Sequence, residues 1–245
     1  VINQELSKTM EQEIVKHSRK ISSISKKTEL SWINKAKEIV IEIFIIVFAV
    51  TFSIWLHGVN EHQKEQKEVR AFLTNIRKDL VKDLKWLKAD VVSYKEADEG
   101  YKIILQLTPA KIDSMNRTNS GDLNFPVRLL LNKINNANYE GFKSNGKIGN
   151  IENDELRMAI LGYYQQDAPA TMETNNLYNQ YLLKTVDALN DHPDKTDDEF
   201  FVSQKFKSKI EYLVMVEQML IKFYEENTIK HATEIIEKID QELAE

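Results

Sequence analysis

The sequence predicts an all-α protein: one N-terminal transmembrane helix that continues into an extramembrane helical bundle. Three observations predict it. Residues 39–56, IVIEIFIIVFAVTFSIWL, are apolar at 15 of 18 positions, with Glu42, Thr51 and Ser53 the exceptions. Only 7 Gly and 4 Pro occur in 245 residues, which argues against a turn-rich β fold. Beyond the apolar run, hydrophobic residues recur at steps of three and four for most of the chain.

The apolar run comes first in the argument. Eighteen residues at the helical rise span about 27 Å, close to the thickness of a bilayer's hydrocarbon core. Its apolar residues go all round the helix, whereas the core helix of a soluble protein keeps a polar face. It is longer than the roughly 7–15 residue core of a signal peptide, and no small-residue cleavage pattern follows it. Trp32 and Trp55 flank it as membrane-interface anchors would. The expected domains are a cytoplasmic amphipathic and basic segment (1–38), a transmembrane helix (39–57) and a periplasmic α-helical domain (58–245). Orientation follows from charge. Lys20, Lys26, Lys27, Lys35 and Lys37 precede the run, against Lys64, Lys67 and Arg70 after it. That excess places the N-terminus in the cytoplasm and the large domain outside a bacterial inner membrane.

Glu42 is the one candidate functional residue. An acid within an apolar span is costly, and such acids are often functional. Glu42 stands within about one turn of the near edge, where a side chain can also reach water. Two roles are therefore open: a carboxylate that snorkels, or one that is paired or carries protons.

On the N-terminal side, Ile2, Leu6, Met10, Ile14, His17, Ile21 and Ile24 outline a weak amphipathic helix. Its basic end suits anionic headgroups, or it packs on a neighbour. Ser31 is placed to cap the helix that enters the membrane. On the far side, Val69, Leu73, Ile76, Leu80, Leu84, Leu87, Val91 and Tyr94 form a coiled-coil-like seam. Packing in a bundle explains most of that seam, and self-association near the membrane is a further use for it.

The helical pattern stops at Thr108-Pro109, and residues 110–124 read as a polar loop. A short helix is expected from Pro126 to about Ile134. Gly141, Gly146 and Gly149 mark turns, or the end of a short helix at Asn145-Gly146. Asn153 should cap the helix DELRMAILGYYQQ. Another helix is expected over about 169–189. Thr196 and Glu199 have capping-box spacing for the C-terminal helices, which are one long rod or two abutting ones.

Sites of known chemistry are not evident. Gly141 to Lys147 has the spacing of a phosphate loop, but Ile148 stands where Ser or Thr must hold magnesium, and no apolar strand precedes it. Histidines at 17, 57, 62, 192 and 231 lack metal-ligand spacing, and the acidic residues from Asp191 to Glu199 lack a calcium-loop pattern. The chain has no cysteine, so thiolate chemistry is excluded. Tyr163, Tyr164, Tyr178 and Tyr181 read as core rather than as a ligand cage. No catalytic, cofactor-binding or metal site is expected. Net charge is −5 overall, but −8 once residues 1–38 are set aside, which argues against nucleic acid as a partner.

Two stretches carry a resemblance. KEIVIEIFIIVFAVTFSIWLHGVNEHQKEQKEVRAFLTNIRKDLVKDL, with Glu42, Trp55, Asn60 and Glu61 at the matching positions, resembles the N-terminal signature of an uncharacterised bacterial family of single-pass inner-membrane proteins. YEGFKSNGKIGNIENDELRMAILGYYQ is similar to that family's mid-domain segment. This chain departs from the pattern in a longer N-terminal extension and in His57-Gly58 after Leu56. The resemblance implies a membrane anchor ahead of a helical domain and brings no activity with it.

The expected function is that of a non-enzymatic, membrane-anchored envelope protein whose helical domain mediates protein–protein or self-assembly. Its partners would be the lipid bilayer and a protein or a second copy. Two alternatives are an extracytoplasmic small-ligand sensor, and an accessory subunit of a proton-driven motor using Glu42.

Overall fold

The computed structural model describes residues 11–20, 32–118, 125–192 and 198–244. All regular structure among them is helical. Residues 11–20 are helical (α1). They are followed by α2 (Trp32–Leu105), α3 (Pro109–Thr118) and α4 (Ala137–Ser144). Then come α5 (Asp154–Gly162), α6 (Ala168–Asn190), α7 (Asp198–Val202), α8 (Gln204–Phe223) and α9 (Lys230–Ala244). The chain forms two units, one ending at Glu68 and one beginning at Val69, and α2 contributes to both. Ser31 and Thr196 lie outside the described residues, as does the Trp32 side chain.

The first unit contains the apolar part of α2. Val40, Ile41, Ile43, Phe44, Val47 and Phe48 are all exposed, as are Phe52, Ile54 and Trp55. Only 6% of the most apolar stretch is buried against the rest of the chain. Among the described residues this is the one helix long and apolar enough to cross a membrane. Phe44, Phe48, Phe52 and Trp55 form a continuous ridge, with successive ring centroids 6.3, 6.0 and 5.7 Å apart. Steps of three and four put these rings on one helical face.

The second unit is built on the rest of α2. Val69, Leu73, Ile76, Leu80, Leu87, Val91 and Tyr94 are buried, so the seam legible in the sequence is the core stripe of this rod. Two further rods pack on it. One runs through α5 and α6, and the other through α8 and α9. α6 packs on α8 while α5 packs on α9, so the two rods are antiparallel. Two hydrophobic clusters result. Val69 to Leu80 meets α4, α5 and α9, whereas Leu87 to Leu107 meets α3, α6, α7 and α8; Trp86 touches both.

Both outer rods are joined at a π-helical turn, Tyr163–Asp167 in one and Tyr224–Ile229 in the other. The sequence carries the cause. Leu156, Ile160, Tyr164 and Ala168 are buried at successive steps of four, as are Val216, Leu220, Tyr224, Thr228 and Ala232. In an α-helix each step of four overshoots a full turn by about 40°, so a run of such steps would rotate out of the core. The wider π turn takes up the excess and returns the stripe to the interior.

Several local expectations are corrected. Residues 110–118 are helical rather than loop, because Thr108 Oγ1 accepts from the Lys111 amide at 3.2 Å and Pro109 starts the new helix. No helix forms over 126–134; residues 125–136 are a strap without regular structure. Side chains hold it instead. Asn179 clips Leu130 from both sides: its Oδ1 accepts the Leu130 amide at 2.8 Å, and its Nδ2 donates to the Leu130 carbonyl at 2.9 Å. The Tyr101 hydroxyl donates to the Pro126 carbonyl at 2.8 Å. A Cβ on Gly100 would stand 3.1 Å from Pro126, so the glycine lets the strap lie close to α2. Where the sequence indicated one helix start near Glu199, the chain makes the short α7 and breaks. Ser203 then caps α8, accepting from the Phe206 amide at 3.2 Å.

The other expected boundaries agree with the fold. Asn153 caps α5 through the Leu156 amide at 3.0 Å. Asn145 ends α4, and Gly146 takes the left-handed conformation with φ 70°. The phosphate-loop spacing is thus a helix end: Gly141 lies inside α4, and Phe142 stacks on Phe72 with ring centroids 3.9 Å apart.

Candidate functional site

Three places bring together groups that burial or charge makes costly. The first is Glu42. Its residue exposure is only 4%, because α1 covers it. His17 Nδ1 stands 2.5 Å from one carboxylate oxygen and Lys20 Nζ 3.2 Å from the other. His17 Nε2 in turn faces Glu13 at 3.4 Å. Glu42 is therefore paired rather than directed to water. A lone carboxylate deep in hydrocarbon costs about 3 kcal/mol on insertion scales, and pairing with the Lys20 ammonium and the His17 imidazole offsets that cost. The i, i+3 step from His17 to Lys20 sets both on one face of α1. The sequence placed His17 on the apolar stripe of that segment, and the pairing explains a polar residue there. Trp55, the other candidate within the described side chains, is 60% exposed and packs on Phe52.

The second place is a cleft of about 280 Å³ beside the π turns, lined by Tyr163, Gln166, Asp167, His231 and Glu234 among others. His231 Nδ1 meets Asp167 Oδ2 at 2.7 Å, and the Thr171 and Thr228 hydroxyls are 2.8 Å apart. These contacts join the two rods at one level. Among the described residues no three His, Asp or Glu side chains converge on a metal position.

The third is the interior between α2, α6 and α8. Tyr94, Tyr101, Tyr178 and Tyr224 are fully buried there. Tyr94 packs edge-on against Tyr178 and Tyr224, and the Tyr224 hydroxyl donates to Asn175 Oδ1 at 2.6 Å. Burial pushes all four phenols well above their ordinary range. Glu217 is 0% exposed in the same interior, and neither of its oxygens has a hydrogen-bond partner. Burial foremost, and then the charge of Asp98, raise its carboxyl to about 8, while the nearby Tyr178 hydroxyl pulls the other way.

Of the tyrosines the sequence places in the core, Tyr178 lies in this interior, whereas Tyr163 and Tyr164 belong to the cluster around Val69 to Leu80. Tyr163, Tyr164 and Tyr178 are buried, and Tyr181 packs on Tyr212 with ring centroids 4.4 Å apart. Glu217 escaped sequence reading because an acid between Val216 and Gln218 resembles any solvated helix position. The signal was its step of four from Leu213, on the stripe that continues to Leu220.

No protein-family model, no curated protein and no solved structure matches the chain.

Proposed function

We propose that this is a non-enzymatic, membrane-anchored envelope protein whose helical domain mediates assembly with a protein partner or with its own copies. The observation that carries the reading is the apolar stretch of α2, exposed over the length of a bilayer core except along the one stripe that holds Glu42. Such a surface is far larger than the apolar patches that soluble monomers expose. The lysine excess before it supports a cytoplasmic N-terminus and a periplasmic bundle. The resemblance to single-pass inner-membrane proteins points the same way. Full-length protein should stay in the membrane pellet after a carbonate wash. Cross-linking in those membranes should trap a dimer or a defined partner. A monomer with no partner would overturn the assembly role, and release by carbonate would overturn the anchor.

A second reading is favoured by one observation. His17 stands between the buried Glu42 and the half-exposed Glu13, an imidazole between two carboxylates. That arrangement suits proton transfer and hence an accessory role in a proton-driven machine. Glu42→Gln should then abolish function without loss of membrane retention, and an active variant would remove this reading.

A further inference from the structure

Glu217 lies in the second unit, far along the sequence from the apolar stretch, and the proposed anchor does not use it. We propose that Glu217 is a buried proton-binding site that makes the packing of α8 against α2 and α6 conditional on its protonation. The geometry calls for a neutral group at this position. The side chain is fully buried, neither oxygen makes a well-formed hydrogen bond, and the donor that acts on it is the neutral Tyr178 hydroxyl. An ionised carboxylate without a partner in such a place is far more costly than a protonated one. The groups that act on it are Asp98 and Tyr101 from α2 and Tyr178 from α6. None of them supplies positive charge. The cations that act on its neighbours are engaged with them: Lys102 holds Asp98 at 2.7 Å, and Arg128 bears on Asp90 at 3.3 Å and on Tyr178. One layer further along α2, Tyr94 and Asp90 act on Tyr224 and add no cation.

Two neighbours share the shortage of partners. Tyr94 Oη and Asn175 Nδ2 are buried without a hydrogen bond. Most buried polar groups in folded proteins find one. An interior with three such groups is held by packing more than by a polar network, so a charge arriving in it meets the neutral Tyr178 hydroxyl and no cation. Loss of the Glu217 proton places a negative charge beside Asp98, and relief comes from α8 moving so that water reaches the carboxylate.

The direction with pH follows from linkage. The folded chain holds this proton up to about pH 8, whereas an unfolded glutamate releases it near 4.5. Its contribution to stability is therefore complete below the unfolded value and is lost as pH rises through the folded value.

The test uses the full chain in detergent micelles. Thermal unfolding followed by circular dichroism should show the wild-type midpoint falling by about 3 °C or more between pH 5.5 and 8.5. Glu217→Gln keeps the shape of the neutral acid and should be flat across that window. Hydrogen exchange, corrected for intrinsic rate, should show α8 opening at pH 9 in wild type and staying protected in the Gln variant. Asp98→Asn should move the wild-type transition to lower pH. The proposal is overturned if wild type and Glu217→Gln share one pH profile, or if α8 protection in wild type is the same at pH 6.5 and pH 9. Glu217→Leu serves should the Gln variant fail to fold, with the same outcomes expected.

Discussion

Single buried polar residues set much of this fold's accuracy, and Asp83 is the clearest case. It is 0% exposed on α2, yet three donors converge on it. Trp86 Nε1 reaches it at 3.1 Å, the Asn135 amide at 3.0 Å, and the Asn135 side chain also donates. Burial raises its carboxyl above the ordinary range, and these hydrogen bonds offset part of that rise. Asp83→Ala would leave the Trp86 and Asn135 donors without an acceptor. A buried donor so orphaned costs about 1–3 kcal/mol, but Trp86 is half-buried and Asn135 is exposed and can turn to water. Urea unfolding should therefore show a loss of about 1–2 kcal/mol, chiefly from the Trp86 indole, and no measurable loss would show that water replaces the carboxylate. Apolar residues were the legible ones at this scale. Leu73, Leu80 and Leu87 fell on a period that names their face, and the structure buries all three. Asp83 and Glu217 occupy the same stripes, but an acid carries no mark in a sequence that says which face it is on. Their roles depend on partners brought in from elsewhere in the chain: Asn135, 52 residues on, for Asp83, and Asp98 and Tyr178 on other helices for Glu217.

Among the elements, the strap 125–136 departs furthest from its local sequence. Pro126 followed by VRLLLNKI suggests a helix start, and propensity alone favours one. Tertiary bonds prevail because Asn179 takes both backbone groups of Leu130, and Asp90 takes Arg128 at 3.3 Å and Asn132 at 3.2 Å. Asn179→Ala should cost about 2 kcal/mol, since two bonds to a buried backbone are lost together. Limited proteolysis should then cut within 125–136 sooner than in wild type, while α5 and α9 stay resistant. Unchanged cleavage would mean that Leu130 packing alone holds the strap. The π turns were within reach of sequence analysis but need a specific sign: consecutive steps of four on one stripe. Templates that accept either three or four at each step pass over that excess. The cap at Asn153 was plain because Asn precedes Asp-Glu and an apolar period, and its hydrogen bond to Leu156 is local. The cap at Thr108 was hidden by its own neighbour, since Pro109 reads equally as a helix end and as a helix beginning.

At the scale of the whole molecule, burial separates the two parts of α2. From Val69 onward one stripe of α2 is covered, from Val69 and Leu73 to Tyr101 and Ile104, and only scattered apolar residues such as Val92 lie outside it. Before Val69 the apolar residues are mostly exposed, Val47 and Phe48 at 57% and 59% among them. The hydrophobic clusters of the second unit draw on nothing before Val69. Charge placed on the apolar stretch should therefore leave the bundle's stability alone and act only on the proposed anchoring. Arginine near the centre of a membrane helix costs about 2.5–3.5 kcal/mol on insertion scales. Replacing both Val47 and Phe48 by Arg roughly doubles that, and two adjacent side chains point different ways, so they cannot both reach one interface. The double variant should leave the carbonate-washed pellet and appear in the aqueous fraction, with the urea midpoint of the bundle unchanged. Retention in the pellet, together with the unchanged midpoint, would mean that something other than this helix holds the chain at the membrane. A collapsed midpoint would instead mean that residues before Val69 brace the bundle, against the division seen in its core.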